Sequence, residues 1–112
     1  MENSEIMNTV SYIKRSNNRY NLVMNMNKKF KMPSEMAAEM DLRINQISAI
    51  LSDLKKEDIV TCINEDAKIG RLYKLTEKGI EAYNLIKYND EIQWKKVKNN
   101  KINYPTLIVL KV

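Results

Sequence analysis

The chain has 112 residues, with 19 basic and 14 acidic side chains for a formal charge of +5, no histidine and one cysteine. That length fits one domain with a modest core, and the absent histidine and lone Cys62 exclude an internal disulfide, the usual zinc sites and histidine acid–base catalysis. No run approaches the roughly 18 apolar residues of a membrane span, and MENSEIMNTV lacks the basic leader and apolar core of a secretory signal, so a cytoplasmic protein without membrane attachment is expected.

In chain order, Ile6, Met7, Val10 and Ile13 have helical spacing and predict a short helix over Glu5–Lys14. Ser16 or Asn17 caps a second helix from Arg19 to about Asn27, with Tyr20, Val23 and Met24 on one face, broadened by Leu22 and Met26. The link Asn27–Lys31 is polar, with Phe30 as its anchor and three lysines that either reach phosphate or face water.

Met32 to Leu54 organises the chain. Pro33 suits a helix entry, and Met36, Ala37 and Met40 share a face of a helix over Ser34–Met40. After the corner Asp41-Leu42-Arg43-Ile44, a helix over Asn45–Lys55 carries the apolar stripe Ile47, Ile50, Leu51 and Leu54. Two such helices read as a helix-turn-helix, whose second member lies in the major groove when the partner is DNA. Its polar face is Asn45, Gln46, Ser48, Ala49 and Ser52, and Asn and Gln pair with adenine edges. Charge is distributed unevenly: residues 1–40 are net +2, 41–75 net zero and 76–112 net +3. The reading helix is therefore not itself basic, and phosphate neutralisation must come from elsewhere.

Asp58 ends this helix, and Ile59–Ile63 reads as a strand in which Cys62 is a buried small apolar residue. Asn64–Gly70 is a polar hairpin loop, a candidate wing with Lys68 and Arg71 at its edge, and Arg71–Leu75 returns as a strand. Thr76 caps a helix from Glu77 to about Asn89, and Gly79 inside its first turn implies a packing reason. Ile80, Tyr83, Leu85, Ile86 and Tyr88 support that helix. Ile92, Trp94 and Val97 continue it after a break near Asn89-Asp90, beside the basic run Lys95, Lys96, Lys98 and Lys101. Leu107–Val112 is strand-like and needs cover.

The order helix, helix, helix, strand, loop, strand, helix resembles the winged helix-turn-helix superfamily, in particular archaeal and bacterial regulators of the MarR and ArsR type. The resemblance rests on SNNRYNLVMNM at 16–26, PSEMAAEM at 33–40, INQISAILSDLKKEDIV at 44–60 and GRLYKLTEKG at 70–79. It covers about residues 16–88, flanked by an N-terminal extension or short helix at 1–15 and a C-terminal extension at 89–112. It implies an α+β, mainly helical fold with a two-stranded wing at 64–71 and a reading helix at about 44–54. Ile47-Ser48 matches a hydrophobic-serine pair of that helix; Ala49 stands where the family often has Arg or Lys, and Asp58 where it often has glycine.

The implied function is sequence-specific binding of double-stranded DNA by a homodimeric transcriptional regulator. Arg43, Asn45, Gln46, Ser48, Ala49 and Ser52 would face bases, and Arg19, Lys28, Lys68 and Arg71 would face phosphate. Two candidate pairing surfaces are the terminal helical material (Ile6, Val10, Ile13 with Leu85, Ile92, Trp94, Val97) and the Leu107–Val112 tail. The alternative is a protein-interaction subunit on the same scaffold, supported by the charge-neutral 41–75 segment and the apolar tail. Enzymatic function is not expected, since glycine-rich phosphate loops and recognisable nucleophile or metal sets are missing. No cofactor is implied; a small apolar effector between the helices stays open without any residue to mark it.

Overall fold

The computed structural model describes residues 3–100, and the side chains of residues 4–92. The elements are α1 (Asn3–Lys14), α2 (Asn17–Met26), α3 (Pro33–Met40), α4 (Ile44–Lys56), β1 (Val60–Cys62), β2 (Tyr73–Leu75) and α5 (Glu77–Asn100). β1 and β2 pair antiparallel, with Val60 opposite Leu75 and Cys62 opposite Tyr73. Lys31 and Tyr73 exchange two backbone hydrogen bonds of 2.9 Å, which adds a one-residue third lane along β2. This α+β, mainly helical architecture with a small hairpin is the one expected.

One core joins all the helices. Ile6, Val10 and Ile13 of α1, Leu22, Val23 and Met26 of α2, Met36 of α3, and Ile47, Leu51 and Leu54 of α4 are buried in it. Ile59, Val60 and Leu75 close the sheet side, and Ala82, Tyr83 and Ile86 come from α5. Burying such side chains contributes about 1.5–3 kcal/mol each. α1 and α5 share an extensive contact, so Ile6, Val10 and Ile13 belong to the chain's own interior. This removes all three from the candidate pairing surface. Met7, expected on the same stripe, is 49% exposed. The buried positions of α1 run 6, 9, 10 and 13, and residue 7 lies about 100° around the helix from residue 6.

Ser16 caps α2 by accepting the Arg19 N–H at 3.2 Å. α2 ends at Asn27 in the left-handed region, φ 45°, and Lys28 follows at φ 66°. Phe30 is not the expected anchor; it is 57% exposed, with the Lys74 ammonium 5.8 Å from its ring centre. The pairing of Lys31 with Tyr73 sets a local two-residue alternation that turns Lys31 inward and Phe30 out. Lys31, 17% exposed at its side chain, pairs with Glu39 of α3 at 2.6 Å.

α4 ends with Asp58 at φ 61°, and β1 leads into a compact junction. Thr76 Oγ1 donates to the Asp58 carbonyl at 2.6 Å and accepts the Gly79 N–H at 3.0 Å. A Cβ on Gly79 would stand 2.2 Å from the Ile59 carbonyl oxygen, which is the packing reason for that glycine. α5 then runs without the break expected at Asn89-Asp90. Asp90 accepts from the Tyr20 hydroxyl at 3.2 Å, which holds it to α2 instead of leaving it to compete with its own backbone. Burial, then the Asp90 carboxylate, raises the Tyr20 pKa. The side chains of Trp94, Lys95, Lys96, Val97 and Lys98, together with Lys101 and the whole Leu107–Val112 tail, lie outside the described residues.

Candidate nucleic-acid interface

α3 and α4 are joined by Asp41-Leu42-Arg43. Asp41 takes the left-handed conformation at φ 56°, and its N–H and that of Leu42 both turn back to the Ala37 carbonyl. Neither Met32 nor Arg43, the residues preceding the two helices, makes a side-chain cap. Both helices are closed from the third position inward instead. Glu35 Oε1 accepts the Met32 N–H at 2.8 Å, and Gln46 Oε1 accepts the Arg43 N–H at 3.0 Å. Gln46 therefore has an internal duty that its sequence context did not reveal. Its oxygen holds the helix entry, and its amide NH2 is the group left to face a partner.

With Ile47, Leu51 and Leu54 facing inward, α4 turns Asn45, Gln46, Ser48, Ala49 and Ser52 outward, all exposed, and Arg43 is exposed at its entry. Asn45, Ser48, Ala49 and Ser52 fall at helical spacing on a single face, and no acidic residue occurs between Arg43 and Ser52. The first acidic group on the exposed side is Asp53, after this row. Ile44, which the sequence reading placed in the corner, is 50% exposed in the first turn beside the row.

The loop between β1 and β2 is closely braced. Asn64 Oδ1 accepts the Leu72 N–H at 2.7 Å, and Asn64 Nδ2 donates to the Gly70 carbonyl at 3.1 Å. Arg71 donates from Nε to the Ala67 carbonyl at 2.9 Å and from its terminal nitrogen to the Glu65 carbonyl at 3.0 Å. Lys55, in the last turn of α4, pairs with Glu65 at the base of the loop. Their hydrogen bond raises the Lys55 pKa and holds the Glu65 carboxyl below its usual range.

The structure thus gathers the six α4 candidates, and a direct ion pair ties α4 to the loop that carries Lys68 and Arg71. Arg19 and Lys28 take their contacts elsewhere. The Arg19 guanidinium stacks 3.9 Å from the Tyr12 ring centre and donates to the Tyr12 carbonyl, at the α1–α2 corner. The Lys28 ammonium lies 5.8 Å from the Tyr83 ring centre on α5. Asn64 and Ile69 went unremarked in the sequence. The signal available for Ile69 was a single large apolar residue in an otherwise polar loop; it is 90% exposed.

An open groove of about 310 Å³ lies between α1 and the end of α4, lined by Glu5, Arg15, Glu57 and Lys78 among others. Its charged lining does not suit the apolar effector left open by the sequence. Among the described residues, no group of three or more His, Cys, Asp or Glu gathers to hold a metal, and no helix is long and apolar enough to cross a membrane.

Helix order, capped helix pair and braced hairpin together define a winged helix-turn-helix fold. Solved structures share it: two mutant structures of ZitR from Lactococcus lactis superpose with TM-scores of 0.60 and 0.56, and a mutant in apo form with 0.59. Each is 13% identical in sequence and covers 81% of this chain. This chain spans 65% of the length of the first and 72% of the apo form. No protein-family model matches the sequence, and no curated protein matches it significantly.

Proposed function

We propose that this chain is a non-enzymatic transcriptional regulator that binds double-stranded DNA sequence-specifically, acting in the cytoplasm as a homodimer. The observation that carries the reading is the exposed face of α4, free of acidic groups from Arg43 to Ser52 and coupled to a braced wing. Asn45, Gln46, Ser48, Ala49 and Ser52 then face base edges in the major groove, with Arg43 at the helix entry. The Ala49 methyl suits a thymine methyl. Lys68 reaches phosphate directly, while Arg19 and Lys28 extend the positioning contacts from the flanks. Arg71 supports the loop and adds its charge there. The unit that binds is residues 16–88. Residues 1–15 complete its core, and the pairing surface lies in the C-terminal part, 89–112 with the adjoining turn of α5.

The test is selection of duplexes from a random-core library, followed by affinity measurement across a salt series. Three phosphate contacts per subunit, from Lys68, Arg19 and Lys28, give a slope of log affinity on log salt of about −3 per subunit. Absence of any selected sequence, with no binding at low salt, would overturn the reading. Protein partners that co-purify and depend on the same α4 face would then favour the interaction-subunit alternative, for which the net-neutral 41–75 segment and the exposed Phe30 and Ile44 speak.

A further inference from the structure

The groove between α1 and the end of α4 is built on a second stripe of α1. Glu5, Asn8, Thr9, Tyr12 and Arg15 line it at helical spacing, beside the stripe that enters the core. The facing wall is Glu57, which follows the last turn of α4, with Ile59 and with Lys78 from the first turn of α5. Thr9 and Ile59 are buried, Tyr12 and Lys78 half-buried, and Glu5, Arg15 and Glu57 exposed. The Arg19 guanidinium, 3.9 Å from the centre of the Tyr12 ring, holds that ring from one side and makes it a fixed apolar wall. None of the residues assigned to base edges or phosphate lines this groove.

The lining carries two carboxylates, Glu5 and Glu57, and two cations, Arg15 and Lys78. The two ion pairs among the described residues, Lys31–Glu39 and Lys55–Glu65, involve none of the four. Opposite charges that share a cleft without pairing suit a ligand that carries both signs, since a lone anion or cation also meets its own sign there. Length narrows the class. Glu5 and Arg15 stand ten residues apart, about 15 Å along α1. An α-amino acid holds both charges on one residue and does not meet both ends. A peptide of two or three residues extends to roughly 7–10 Å, and the Glu5 and Arg15 side chains span the remainder. The volume, about 310 Å³, is at the small end of ligand sites. Between the ends, the Thr9 hydroxyl donates to the Glu5 carbonyl at 3.1 Å and keeps its lone pairs for a peptide N–H. We infer that this groove binds a short peptide with free termini, its carboxylate on Arg15, its ammonium on Glu5 and its main chain along Thr9 and Tyr12.

Trialanine is the probe, titrated into the full chain and followed by backbone amide NMR. Saturable shifts are expected along α1 and at residues 57–59 and 78. N-acetyl-trialanine and trialanine amide, each lacking one terminal charge, are expected to bind about tenfold more weakly, the scale of one charge-assisted hydrogen bond. Putrescine and succinate, which carry one sign only, are expected not to compete. Arg15→Gln, at an exposed position, should melt as the wild type does and bind trialanine about tenfold more weakly, yet bind the amide as the wild type does, because the charge that Arg15 meets is already gone. Absence of shifts up to about 10 mM peptide, blocked peptides that bind as well as trialanine, effective competition by putrescine or succinate, or an Arg15→Gln protein that loses equally on both peptides overturns the inference. The titration contains no DNA, so its outcome leaves the DNA-binding reading untouched, and failure of that reading leaves this site standing.

Discussion

Gly79 is set by an oxygen atom rather than by helix preference. The Ile59 carbonyl that a Cβ would strike at 2.2 Å already accepts the Thr76 N–H at 2.9 Å, so the strand cannot withdraw without breaking the β1–α5 junction. Gly79→Ala should therefore destabilise the protein by about 2 kcal/mol or more, against the roughly 1 kcal/mol that alanine ordinarily gains inside a helix. A thermal melt checks it, and an unchanged or raised midpoint would refute the steric account. Asp58 is the opposite case. At φ 61° it occupies a conformation that glycine adopts freely, which accounts for the glycine that resembling sequences often carry there. Asp58→Gly should melt at or above the wild-type temperature, and Asp58→Val clearly below it.

Glu39 links residue chemistry to pH. Its hydrogen bonds to Lys31 and then to Asn25 hold the carboxyl below its usual value of 4.5. A carboxylate lowered in the folded state contributes stability that is complete above its unfolded pKa and lost as pH falls through the folded one. The Glu39 contribution should thus be present at neutral pH and decline below about 4.5. Denaturant unfolding of Glu39→Gln should show a shallower loss of stability on acidification than the wild type. Parallel acid limbs would rule this out.

At the scale of elements, α4 has to be well made before it can read anything. Gln46 closes its entry, so Gln46→Ala removes a cap, at about 1 kcal/mol, together with any partner contact. Gln46→Glu keeps an acceptor for the Arg43 N–H but replaces the free amide donor with a negative charge. Gln46→Glu should melt close to the wild type and lose DNA binding, whereas Gln46→Ala should lose some of each. Equal binding by Gln46→Glu and wild type would remove this residue from the interface. The helices themselves were legible because Met36, Ile47, Leu51 and Leu54 repeat at helical spacing, and because Ser16 and Thr76 are good caps. The entries of α3 and α4 were placed to within a residue, α3 by Pro33, but the groups that close them were not legible, because Met32 and Arg43 are poor capping residues and the acceptors come from three residues later. Phe30 was misread as an anchor because a single backbone pairing, Lys31 with Tyr73, decides which way it points. The continuity of α5 through Asn89-Asp90 depends in part on Tyr20, far away in sequence.

For the whole molecule, burial of Ile6, Val10 and Ile13 narrows where a second copy could pair. Leu85 is half-buried against the core, while Tyr88 and Ile92 are 58% and 43% exposed and lie four apart on one face of α5. Sedimentation equilibrium on the full chain should show a dimer at roughly micromolar concentrations, converted toward monomer by Ile92→Glu. A chain truncated after Tyr104 that stays dimeric would clear the tail. A full-length monomer would defeat the proposed homodimer.

The packing of α1 on α5 has a consequence in time. The first helix is made first, yet the surface that buries Ile6, Val10 and Ile13 includes the helix carrying Ala82, Tyr83 and Ile86. During synthesis these three side chains can pack in part on α2, but their burial is complete only once the chain has grown past residue 86. Contacts so distant in sequence slow folding, because the intervening loop must close before they form. Ribosome-bound chains halted between β2 and the middle of α5 should stay protease-sensitive at α1, and become resistant only once the turn bearing Ile86 has emerged.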